Sequence, residues 1–154
     1  MSALASLPSN PQVREGVLRR VRRLNRAEAW AFARAWWLLL AVDLGLRLLP
    51  FARLESWLAP APRKEGVADE RAVPRLVWAT AAAARHHLYP MRCLPQALCL
   101  RWLLGRQGIA AELRIGVERG RGDLRAHAWV ERDGCPVGEG LRVADHFAPL
   151  RPAS

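Results

Sequence analysis

The sequence has little cysteine, three residues in 154, and no two of them form a CxxC pair. A sparse, odd count excludes a disulfide scaffold. Cys93 and Cys99 have no second pair to answer them, so no zinc-ligand set and no metal is expected. No GxxxxGK[ST] string occurs, which excludes a P-loop nucleotide site, and no cofactor is expected. No apolar h-region is present in the opening "MSALASLPSNPQVREG", and with the unpaired cysteines this points to a reducing cytoplasm. Long hydrophobic runs are also missing. The best candidate is uncharged only from Ala35 to Val42, between Arg34 and Asp43, far short of the ~20 residues a span requires. There is no internal repeat and no aromatic-basic interleaving on a strand pattern, so nucleic acid is not an expected partner.

What is present is a chain that is 51% apolar and 25% charged, enough to bury a core and too apolar for disorder. The formal net charge is +10, supplied almost wholly by arginine, which favours an acidic peptide or a membrane surface as partner. Of seven tryptophans, Trp30, Trp36, Trp37 and Trp57 fall in the N-terminal third. That placement suits either a docking or membrane-facing surface or simple core packing.

Composition divides the chain into a flexible tail (1–12), a helical region (13–58), a linker (59–72, opening "APAPRKEG") and a core (73–154). In the helical region Val13, Val17, Leu18, Val21 and Leu24 share one stripe with arginines opposite. Asn25 is placed to cap a second helix that stops before Pro50, and "FARLESWL" forms a short third. In the core, helices are expected from Val73 to His87 and from Leu94 to Gln107, with Gly108 as the stop of the latter. The period then changes to alternation in "AAELRIGVE", "LRAHAWVE" and "CPVGEGLRV", an antiparallel meander. Helices followed by a meander make an α+β fold.

Cys93 and His127 are the candidate catalytic pair. A thiol attacks as thiolate, which a helix N-terminus or a neighbouring imidazole favours. Cys93 stands where Pro90 and Pro95 bracket the start of a helix, so first-turn N–H groups would face it and could hold an oxyanion. His127 lies between Ala126 and Ala128, on the strand face that also carries Arg125 and Trp129. A third group must orient the base. If "ERDGC" turns through three residues, Glu139 falls opposite His127; a two-residue loop puts Gly140 there and turns Glu139 to the other face. Asp133 and Asp145 are the rival carboxylates. Cys99 and Cys135 read as small buried hydrophobes, and His86, His87 and His146 as surface residues.

The string "CLPQALCLRWLLGRQGIAAELRIGV", followed by "AHAWVERDGCPV", resembles the transglutaminase-like cysteine proteases of lasso-peptide biosynthesis, leader peptidases related to the microcin-processing proteins. The shared features are Cys-Leu at a helix start, Leu-Leu-x-x-x-Gly-Ile at its end, Ile-Gly-Val in the next strand, and His-Ala-Trp-Val-Glu then Asp-Gly in the hairpin. The N-terminal helices ending "LRLLPFARLESWL" are also similar to that family's. The resemblance implies a papain-like, transglutaminase-type core with Cys93 as nucleophile, His127 as base and the acid near Glu139, where related sequences more usually carry Asp or Asn. Pro95-Gln96 stands where Arg-Ser is commoner. It also implies removal of the leader from a ribosomally made precursor before a macrolactam synthetase closes the ring. A separate leader-recognition protein is then a partner, for which the tryptophan-bearing helices are candidate docking surface. Two rival readings are another amidase or acyl transferase on the same fold, and a non-enzymatic scaffold associated with a membrane.

Overall fold

Glu28 decides where the first described helix begins. Its carboxylate accepts the Asn25 N–H at 3.1 Å, satisfying a donor that a helix start leaves unpaired. The computed structural model describes residues 25–59, 69–119, 124–138 and 147–149. Helix α1 runs Arg26–Leu48, and the backbone turns extended at Leu49 ahead of Pro50, as a residue before proline must. Helix α2 (Phe51–Leu58), α3 (Ala72–Arg85) and α4 (Cys93–Gly105) follow. The chain reverses at Gly108 (φ 73°) and enters the sheet: β1 (Glu112–Arg119), β2 (Leu124–Arg132), β3 (Cys135–Pro136) and β4 (Ala148–Pro149). The antiparallel order is β3-β2-β1-β4, so a short edge strand joins the expected meander. The helix expected over 13–24 lies outside the described residues.

Helix α4 packs on one face of the sheet, and α1 and α3 pack on α4 and on each other. Alanines at the contacts (Ala35, Ala79, Ala83, Ala97) let the helices approach closely, and Leu39, Leu103 and Leu104 fill the space between. Each such leucine, at most 1% exposed, contributes about 2 kcal/mol relative to an exposed one. From the sheet, Ala128 and Val130 enter the same cluster, with Leu113 and Ile115 paired across from Val130 and Ala128 on β1. A smaller cluster of Val42, Leu54, Leu58 and Leu98 folds α2 back on α1 and α4.

Asp43, which interrupts the apolar run of α1, is buried and anchored. It accepts the Tyr89 hydroxyl at 2.7 Å and the Arg47 guanidinium at 2.9 Å. The hydrogen bond to Asp43 holds the Tyr89 phenol above its ordinary range, because the phenolate would face a carboxylate.

Three expectations are corrected. The β2–β3 loop has two residues, not three: Arg132 pairs with Cys135 and Glu131 with Pro136. Asp133 (φ 50°) and Gly134 (φ 77°) both adopt left-handed backbone, a type I′ turn whose twist matches that of the flanking strands. The cross-strand argument that set Glu139 opposite His127 therefore loses its register, and Glu139 itself lies outside the described residues. Cys135 is exposed, because it stands at the turn on a two-residue edge strand. His87 is not a surface residue. Once α3 ends, the chain folds back on α1, and the His87 ring stacks on Trp36 at 4.8 Å and meets Tyr89 edge-on at 5.2 Å. Both of its nitrogens are buried without a hydrogen-bond partner among the described residues. His86 is exposed, as expected; His146 lies outside the described residues.

Candidate active site

Cys93 is the first residue of α4, half-buried, with Arg92 as an extended N-cap (φ −71°, ψ 164°). At that position the N–H groups of Cys93 and Leu94 have no intrahelical acceptor, and the helix dipole is positive. Pro95, third in the helix, gives up only a donor that would also have been unpaired there. Gln96 steadies the approach to the helix: its side-chain N–H donates to the Met91 carbonyl at 2.8 Å.

His127 stands in the middle of β2, opposite Gly116 of β1. Its ring lies nearly parallel to that of Trp129 (centroids 6.1 Å, 14° apart) and 5.2 Å from the ring of Phe147. Gly116 is the reason the layer fits. A Cβ there would sit 2.8 Å from Phe147 Cβ and 2.8 Å from Trp129 Cη2. Trp129 is fixed in turn: its indole N–H donates to Glu131 Oε1 at 2.8 Å, and Arg114 Nε donates to Glu131 Oε2 at 2.9 Å. The neighbours in sequence, Ala126 and Ala128, are too small to cover the imidazole. Instead the ring is half-buried within an aromatic layer. Glu131 was legible as a same-face neighbour of Trp129 by two-residue alternation; Phe147 had no local signal.

Cys93 and His127 line one cleft of about 170 Å³. Val77, Thr80 and Ala81 of α3, Gln96, Ala97 and Leu100 of α4, and Trp129 and Val130 of β2 form its walls. Val137 and Gly138 complete it after the hairpin. Gly138 (φ 82°) lies so near α3 that a Cβ would be 2.9 Å from Val77 Cγ1, which draws this side of the cleft shut. A wider, open hollow adjoins the cleft and shares Ala81 and Gln96 with it; Arg85, His87, Tyr89 and Met91 line its far side.

The other candidates fall elsewhere. Cys99 is fully buried, its thiol 3.8 Å from the Ala35 carbonyl, and burial pushes it up to about 12 despite the neighbouring Thr80 hydroxyl. Cys135 lines a separate shallow hollow beside the turn. Asp133 is exposed on that turn, 3.4 Å from Arg132, and does not line the cleft. Asp145, like Glu139, lies outside the described residues. No group of three or more His, Cys, Asp or Glu able to hold a metal occurs among the described residues.

A half-buried thiol on a helix N-terminus and an imidazole on the facing sheet, sharing a mostly apolar cleft, are the groups that nucleophilic acyl transfer requires. No curated protein and no solved structure matches the chain. A family model described as the transglutaminase-like superfamily matches residues 36–152, which takes in most of α1, all of α4 and the sheet. The chain belongs to the transglutaminase-like superfamily, an α+β fold whose chemistry is of the thiol-protease and acyl-transfer type.

Proposed function

We propose that the protein is a cysteine peptidase that removes the leader from a ribosomally synthesised lasso-peptide precursor before macrolactam closure. The observation that carries this reading is the single cleft shared by Cys93 and His127. Cys93 thiolate attacks the carbonyl carbon at the end of the leader, and the carbonyl oxygen becomes an oxyanion facing the N–H groups of Cys93 and Leu94. His127 gives its proton to the departing amine, which leaves as the N-terminus of the core peptide. Water then attacks the thioester, His127 takes up its proton, and the leader departs as a carboxylic acid with the thiol restored. Glu139, where the family resemblance puts the acid, is the proposed group that orients His127, with Asp145 as the alternative to be compared; Asp133, exposed on the turn, is set aside.

Two features support a peptide substrate. The open hollow that adjoins the cleft at Ala81 and Gln96 gives an extended chain room beside it. The net charge of +10 suits an acidic peptide. The proposed partners are the precursor, a separate leader-recognition protein and, downstream, the macrolactam synthetase.

The test combines the purified protein, a candidate lasso precursor and its recognition protein, with products read by mass spectrometry. The expected products are a leader ending in a free carboxylate and a core with a free amine. Cys93→Ala and His127→Ala should each lower cleavage by about a thousandfold or more. A leader joined to an added amine would make the protein an acyl transferase instead. Cleavage undiminished in Cys93→Ala would sink the reading.

A further inference from the structure

Helix α1 turns one apolar line to solvent. Trp30, Trp37, Leu44 and Leu48 are 68, 66, 52 and 71% exposed. Their spacings of seven, seven and four residues return to nearly the same angle of the helix, so they form a straight line about 27 Å long. Trp57 and Phe51, 67 and 38% exposed, are further exposed apolar side chains on α2. The opposite side of α1, with Ala35 and Leu39, is committed to the core.

The charge on these helices, and in the sequence just before them, has one sign in excess. Arg19, Arg20, Arg22 and Arg23 lie in the sequence just before α1, and Arg26 and Arg53 are exposed on α1 and α2. The acidic residues of α1 and α2 are engaged: Glu28 at the helix start, Asp43 with Tyr89 and Arg47, Glu55 with Arg101.

We propose that this face seats the protein on an anionic bilayer surface, with α1 lying in the headgroup plane and its tryptophans in the interface. Indole rings favour that boundary, where an apolar body and a polar N–H are both accommodated, and arginines add attraction to anionic headgroups. A protein partner fits the pattern less well, because hot-spot side chains cluster in a desolvated centre, whereas here they are strung along a convex cylinder with no groove. By length and mean hydropathy, 1.3 over its most apolar window, α1 is also able to span a bilayer. Spanning would strip Ala35, Leu39 and Val42 from the core, which lying flat does not.

The test is flotation of the full chain with phosphatidylcholine vesicles, with and without phosphatidylglycerol. Tryptophan emission and its quenching by brominated lipid are read alongside. The expected result is binding to the anionic vesicles, a blue shift, quenching, and release by high salt. Binding should weaken about fivefold for each arginine of 19–23 replaced by glutamine. The W30S/W37S/L44S variant should bind at least about tenfold more weakly with unchanged circular dichroism, since the three side chains are exposed. Several results would overturn the proposal. One is no binding to anionic vesicles; another is equal, salt-insensitive binding to neutral ones. Retention after alkaline carbonate extraction would mean a spanning helix. If the triple variant floats normally but loses self-association or binding to a recognition protein, the line is a protein interface.

Discussion

Replacing Gly116 by alanine adds one methyl group behind the His127 ring, and its cost follows from the crowding there. The new Cβ would meet Phe147 Cβ and Trp129 Cη2 at 2.8 Å and Trp129 Cζ3 at 2.9 Å, where ordinary contacts are 3.4–4 Å. Neither neighbour yields easily. The Phe147 contact is to its Cβ, next to the backbone, and the Trp129 ring is tethered to Glu131 through its indole N–H and is only 2% exposed. Overpacking of this kind costs about 1–3 kcal/mol. For a chain of this size that is a fall in Tm of about 2–12 °C. The strain also reaches the imidazole, which lies against both displaced rings, so the His127 side-chain NMR resonances should shift. Peptidase kcat/KM should fall by more than the loss of folded protein at the assay temperature explains. A Tm and a His127 spectrum identical to wild type would refute the reasoning, because the methyl group would then have found space that the packing does not contain.

Other outcomes follow from the same packing. Iodoacetamide at neutral pH should modify Cys93 and the exposed Cys135 but not Cys99. With its thiol pushed up to about 12, Cys99 holds about one thiolate in 10⁵ at pH 7 and is inaccessible besides. Only the Cys93 modification should abolish peptidase activity, as peptide mass mapping against residual cleavage will show. Tyr89 is the only tyrosine, so an absorbance titration reads it directly; it should ionise above the ordinary value near 10. Because its folded pKa is raised, the stabilisation from the bond to Asp43 is whole below about pH 10 and is lost as pH climbs through the folded pKa. Denaturant midpoints across that range check it, and Tyr89→Phe should flatten the dependence. Glu131→Ala leaves the Trp129 N–H and one end of Arg114 without an acceptor, which should cost about 1–3 kcal/mol in urea unfolding, while Glu131→Gln should recover part of it.

The parts of the fold that are local in origin were legible in the sequence. Asn25 and Pro50 bracket α1 by capping and by the restriction proline places on its predecessor, and the prolines around Cys93 announce the start of α4. The change from a helical to an alternating apolar pattern after Gly108 announces the sheet. The α+β class follows from these alone. What was not legible depends on distant packing or on a choice between near-equal turns. "ERDGC" admits a two- or a three-residue loop, and strand twist decides in favour of Asp133 and Gly134 both going left-handed. Cys99 and Cys135 are the same residue type, yet one is enclosed by helices and the other sits on an edge strand. His87 reads as a helix-end residue until Trp36, far earlier in the chain, is seen to cover it. β4 is two residues long, too short to leave a pattern. At the site, the shared cleft joins Cys93 to His127, while the stack of His127, Trp129 and Phe147 required the sheet and its far edge to be in place.

The proposed nucleophile is carried by the helical layer and the proposed base by the sheet, so neither layer holds a working site by itself. The cleft exists only where α4 rests on β2 with α3 beside it, and Gly138 lies close to Val77 at its edge. Chain folding therefore acts as a safety catch. A nascent or partly melted molecule carries an isolated thiol and an isolated imidazole, and the proposed activity requires the two layers to have packed.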